Sequence, residues 1–142
     1  MSATSKEKEF AGDGIYREFI LDHYHHPQHH GTLSHPSIHH REKNISCGDD
    51  ISIQIKLDKS GRVEDARFTG SLCVISTASA SLLLDAIRGK TPKEISLFSR
   101  EDILKLLGIT LGPTRLKCAM LPLDTIKNAF HIHHNYQGAK HA

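Results

Sequence analysis

Tryptophan is absent from the 142 residues, and phenylalanine and tyrosine together fill only eight positions. A core without large rings has to be assembled from Leu, Ile, Val and Ala. The 38% hydrophobic content is enough for such a core to close without disulfide staples. A dominant charge is lacking too: 18 Lys and Arg against 16 Asp and Glu leave +2 with neutral histidines. That is too slight for the electrostatic footprint of a nucleic-acid binder. No apolar run approaches the ~18 residues of a membrane span, and MSATSKEKEF has no apolar leader segment. The expected location is the cytoplasm, with neither nucleic acid nor membrane as partner. Cysteine is scarce: three, an odd number without a secretory signal, predict reduced thiols.

Histidine, by contrast, is abundant. Of twelve, eight lie between His23 and His40 and three more form HIHH near the C-terminus. Pro27, Gly31 and Pro36 interrupt any helical i, i+4 pairing in the first tract. It reads as a solvated connector rather than as a built metal site, although histidine-rich tracts do bind metals weakly.

Residues 1–12 read as a polar tail, 13–134 as one folded domain and 135–142 as a second tail. Asp13 can cap a helix with Ile15, Tyr16, Phe19, Ile20 and His23 on one face, ended by Pro27. The connector at about 26–46 has room for one short edge strand. In ISIQIKLD, Ile51, Ile53, Ile55 and Leu57 alternate with polar residues, a half-buried strand. Lys59-Ser60-Gly61 is turn chemistry, and Val63 to Thr69 is the return strand, irregular near Glu64-Asp65. A helical pattern follows from Ser76, ending near Gly89. Thr91-Pro-Lys-Glu94 and Ser99-Arg-Glu-Asp102 open two short helices. Pro122, placed among the orphan donors of a first turn, puts the cap of the last helix at 118–121.

The hairpin makes the cysteines informative. With Leu57 opposite Arg62, paired residue numbers sum to about 119, and Cys47 and Cys73 sum to 120. Both thiols therefore emerge at the open end of the hairpin, although 26 residues separate them. Cys73 and Cys118 are each expected at a helix start, where the positive dipole end favours thiolate. Arg115 and Lys117 push Cys118 the same way. Asp49 follows Cys47 by two residues across Gly48, so Cys47, Asp49, Cys73 and Cys118 form a candidate S₃O set. Such a set suits zinc or the edge of an iron–sulfur cluster. Asp50 is the rival carboxylate, but it enters the strand. Against function stands the habit of free cysteine to fill space in cores. A Cys–His nucleophile is a weaker alternative, since no histidine is singled out.

At these residues the chain resembles the iron–sulfur assembly family of the NifU N-terminal domain, IscU and SufU. The resemblance rests on DHYHHPQHHGTL, SCGDDISIQIKL, FTGSLCVISTASASLLLDAIRGKTPKEI and GPTRLKCAMLPLDTIKNAF, together covering about Ile15 to Phe130. It implies an α+β fold: a three-stranded antiparallel sheet, helices packed on one face, and a metal site at one exposed end. It implies a non-enzymatic scaffold or sulfur carrier in which Cys47, Asp49, Cys73 and Cys118 hold Zn²⁺ or a [2Fe–2S] cluster. Cys118 is the candidate persulfide acceptor, with Cys47 and Cys73 as alternatives and Lys117 and Arg115 as auxiliary cations. The implied partners are a pyridoxal-phosphate cysteine desulfurase of the SufS or IscS type and downstream acceptors of the cluster. The protein itself would be a monomer or weak homo-oligomer. The alternatives are a zinc-dependent SufU-type persulfide relay, which is a sulfurtransferase without a stable cluster, and a structural zinc module.

The chain departs from the family in several places. Lys117 stands where the scaffold branch has histidine, a SufU-like feature. The 45 residues from Cys73 to Cys118 leave no room for the SufU insertion. Leu111-Gly-Pro-Thr-Arg115 replaces the LPPVK segment recognised by Hsp70. His26-Pro-Gln-His29 replaces NPRN, and Gly70-Ser71-Leu72-Cys73 has lost the second glycine of Gly-x-Gly-Cys.

Overall fold

The computed structural model describes residues 14–45 and 48–141, with backbone alone for 14–16 and 135–141. Asp13, the expected first cap, lies outside them. Helix α1 (Gly14–His25) is followed by strands β1 (Ile38–Asn44), β2 (Asp49–Leu57) and β3 (Val63–Ser71). Four helices complete the chain: α2 (Val74–Ala86), α3 (Pro92–Ser96), α4 (Arg100–Leu107) and α5 (Pro113–His141).

The three strands form an antiparallel sheet in the order β1-β2-β3. Alternation on β2 buries Ile51, Ile53 and Ile55 completely and leaves Ser52 and Gln54 half-covered on the opposite face. Each buried isoleucine contributes about 1.5–3 kcal/mol. Ala66 and Phe68 of β3 and Ile38 of β1 join them, beneath Leu83, Leu84 and Ile87 of the α2 region and Leu123 and Ile126 of α5. Helix α2 packs against both α1 and α5, and α5 also covers β1 and β2. This is the expected α+β architecture. Among the described residues, no helix is long and apolar enough to cross a membrane.

Hairpin numbers sum to 121 from Asp50↔Ser71 to Lys56↔Asp65, and Leu57 faces Val63 rather than Arg62. The shift between Lys56 and Leu57 leaves Glu64 as the extra residue, so the irregularity near Glu64-Asp65 is a bulge. At the other end Gly70 has φ +142°, and a Cβ there would stand 1.9 Å from the Asp50 carbonyl oxygen. Only glycine allows the two strands to close this tightly.

Both short helices begin with complete capping boxes, Thr91 with Glu94 and Ser99 with Asp102. Gly108 ends α4 in the left-handed conformation. The start of the last helix differs from expectation. Pro113 opens α5, with the Leu116 N–H donating to the Gly112 carbonyl (2.9 Å), and Pro122 lies inside it. Cys118 therefore sits in the second turn, not at a cap. Two prolines are compatible with a helix start, and the earlier one is used. The helix also runs on to His141, past residue 134.

Candidate metal centre

Three elements meet at the end of the hairpin: the first residue of β2, the residue that caps α2, and the second turn of α5. One ligand atom each from Asp49, Cys73 and Cys118 lie within 4.8 Å of one another. Among the described residues, this is the one such group of three or more metal-ligating side chains. Cys47, the fourth expected ligand, lies outside the described residues. In a tetrahedral site with metal–sulfur bonds of ~2.3 Å, donor atoms are roughly 3.7 Å apart. The observed cluster therefore needs only a small closure to hold a metal. Two sulfurs and one carboxylate suit zinc or iron in chemistry as well.

Cys73 is the N-cap of α2: its backbone is extended and its Sγ accepts the Ser76 N–H at 3.4 Å. It is half-buried, whereas Cys118 is only 1% exposed and belongs to the core cluster. Dipole activation of Cys118 loses its basis, because the field of a helix end fades within the first turn. Asp49 is 4% exposed, and its Oδ1 accepts the Cys73 N–H at 3.0 Å. Asp50 points away, ion-paired with Arg41 on β1, where the guanidinium hydrogen bonds hold its carboxyl below the usual carboxylate range.

Ser76, a residue the sequence reading used only to mark a helix start, lies at the centre. It is fully buried, and its Oγ is 2.5 Å from Asp49 Oδ2, 3.0 Å from the Cys118 carbonyl and 3.3 Å from Cys73 Sγ. Pro122 explains the second contact. Its missing N–H would have bonded the carbonyl four residues back, which is that of Cys118. The signal available in the sequence was the stretch STASAS inside an apolar helix, since buried hydroxyls have partners elsewhere. Ser79 Oγ donates to the Ala119 carbonyl (2.6 Å), and Ser81 Oγ accepts the Gln28 N–H and bonds His23 Nδ1, both at 2.8 Å.

The histidine tract is more structural than expected. His23 is buried in its bond to Ser81, and burial pushes its pKa down against the opposing charges of Asp22 and Asp85. His29 adopts φ 64° and pairs with Asp85 at 3.1 Å, and His30 packs edge-on against Phe68. Lys117 is exposed and Arg115 half-buried. Lys117 lines an open groove of about 940 Å³ with Ile45, Arg100, Leu116 and Met120.

The family model described as NifU-like N terminal domain matches residues 15–141. The iron–sulfur cluster assembly scaffold protein IscU of Thermotoga maritima is 38% identical over 131 positions, covering 81% of this chain and 92% of that protein. The zinc-dependent sulfurtransferase SufU of Bacillus subtilis is also 38% identical, over 77% of this chain and 84% of that protein. A putative iron–sulfur cluster assembly scaffold protein for the SUF system from Fervidobacterium islandicum superposes with a TM-score of 0.67 at 28% identity. That match covers 83% of this chain and 98% of the other. A match running through every described strand and helix, with relatives sharing more than a third of its aligned residues, makes this chain a member of the NifU-like N-terminal domain family.

Proposed function

We propose that this protein takes part in iron–sulfur cluster assembly, accepting sulfur from a pyridoxal-phosphate cysteine desulfurase and holding iron or a [2Fe–2S] cluster as cargo. The observation that carries the proposal is the convergence of Asp49, Cys73 and Cys118 at one end of the sheet. Cys47, two residues before Asp49, is the fourth ligand. Transfer is a thiol exchange without net redox change. A thiolate here attacks the outer sulfur of the desulfurase persulfide, and the desulfurase cysteine leaves as thiolate. Exposure separates the two described thiols, since Cys73 is half-buried and Cys118 is 1% exposed. Cys73 is thus the first described acceptor in this conformation, ahead of Cys118. Lys117 and Arg115 give the approach to Cys118 a positive character that suits an anionic persulfide.

A second reading, a zinc-dependent sulfur relay, is favoured by Lys117, which leaves no histidine directly before Cys118. The two 38% relatives do not separate the readings, since one is named a scaffold and the other a sulfurtransferase. The test is metal analysis of protein purified without added metal, then a desulfurase assay on the same sample and anaerobic reconstitution with iron and sulfide. A visible-absorbing cluster that is lost in Cys73→Ala supports the scaffold. About one zinc per chain with faster desulfurase turnover supports the relay. Zinc with no effect on desulfurase and no persulfide leaves a structural zinc module. A chain that binds neither metal and leaves desulfurase unaffected overturns both main readings.

A further inference from the structure

Asp49, Cys73 and Cys118 come from segments far apart in sequence, and one hydroxyl touches all three residues. We propose that Ser76 is a positioning residue for this site, aiming the Asp49 carboxylate and fixing the Cys118 backbone beside it. The inference rests on reading the cluster as a metal site.

The Asp49 carboxylate is held at both oxygens, Oδ1 by the Cys73 N–H at 3.0 Å and Oδ2 by Ser76 Oγ at 2.5 Å. Two bonds on different oxygens stop rotation about Cβ–Cγ and leave a lone pair on each for a cation. Without Ser76, this hold on Oδ2 is gone. The same hydroxyl serves the Cys118 carbonyl, which Pro122 has deprived of its helical donor. A single hydroxyl proton lies between these acceptors, so the position of α5 and the aim of Asp49 share one atom.

Ser79 shows what mere docking looks like. One turn further along α2, its hydroxyl makes the matching bond to the Ala119 carbonyl instead of to a residue of the ligand cluster. Attachment of α2 to α5 is thus duplicated, whereas of the two serines only Ser76 bonds Asp49.

The experiment compares Ser76→Ala and Ser79→Ala, using Co²⁺ charge-transfer absorption as the spectroscopic probe and Zn²⁺ competition for affinity. Loss of an outer hydrogen-bond partner of a metal ligand costs 10–100-fold in affinity, and we expect that for Ser76→Ala together with an altered Co²⁺ spectrum. Ser79→Ala should keep affinity within about threefold while still lowering the apo-protein Tm through its own lost bond to Ala119. In an Asp49→Ala background, removing Ser76 should cost clearly less than in the parent, because the carboxylate it aims is gone and only its bond to the Cys118 carbonyl remains. Unchanged affinity in Ser76→Ala, equal losses in both serine variants, or a full loss persisting without Asp49 would each overturn the proposal. A parent chain that takes up neither Co²⁺ nor Zn²⁺ overturns the metal-site reading itself, which is a different result from a parent that binds and a variant that binds equally.

Discussion

Gly70→Ala tests whether the site end of the hairpin is closed by backbone contact. The new Cβ would sit 1.9 Å from the Asp50 carbonyl oxygen and 2.9 Å from its carbon, with φ at +142°. Relief cannot come from a flexible side chain, because both atoms are backbone in a paired strand. Sparsely populated backbone conformations cost of order 1–3 kcal/mol, and separating the strands to relieve the overlap adds to that. A total of about 3 kcal/mol or more is expected. With an unfolding entropy of about 2.1 cal/mol/K per residue, roughly 0.3 kcal/mol/K for this chain, the Tm should fall by about 10 °C. Gly61→Ala and Gly89→Ala are the controls: φ is +84° and +81°, and no atom lies within 4 Å of either added Cβ. They retain the left-handed strain without the overlap, about 1–2 kcal/mol or 3–7 °C. Thermal melts followed by circular dichroism at neutral pH read all three. A Gly70→Ala melt no lower than the two controls would refute the reasoning.

Three other outcomes follow from the structure. Because burial lowers the His23 pKa, the unfolded chain binds a proton there more readily. Stability should be full above the ordinary imidazole value of about 6.5 and fall as the pH drops below it, with the slope reduced in His23→Gln; urea midpoints at successive pH values measure this. Ser99→Ala removes the hydroxyl that accepts the Asp102 N–H, and should cost about 1 kcal/mol, a fall of roughly 3 °C in Tm. Asp49→Ala should weaken zinc binding markedly, whereas Asp50→Ala should leave it unchanged, because the Asp50 carboxylate is engaged by Arg41. Competition with a chromogenic chelator separates the two.

The readability of the sequence followed the physics of each element. The period of two in Ile51, Ile53, Ile55 and Leu57 made the hairpin plain; its register erred by two, one from Leu57 facing Val63 rather than Arg62 and one from the extra residue Glu64 in the bulge. The capping boxes at Thr91 and Ser99 are local chemistry and were legible as such. Strand β1 was not: IHHREKN has one fully buried residue, Ile38, and takes its order from pairing with β2. Cys47, which the hairpin arithmetic set beside Cys73, lies outside the described residues; Asp49, two residues further on, does reach the Cys73 N–H. Cys118 also reaches them, but from inside a helix, because Pro113 rather than Pro122 sets the start. The role of Ser76 could not be read from any local rule, since two of the three partners of its hydroxyl lie 27 and 42 residues away.

Pro122 also bears on how α5 depends on α2. The carbonyl of Cys118 lacks the helical donor that residue 122 would otherwise supply, and Ser76 of α2 provides one. The turn of α5 that carries Cys118 and the packing of α2 therefore meet at one carbonyl. An isolated α5 segment would have to hand that oxygen to water. The stretch carrying Cys118 thus has this bond only in a molecule whose α2 is packed, so the thiol's surroundings depend on the contact between the two helices.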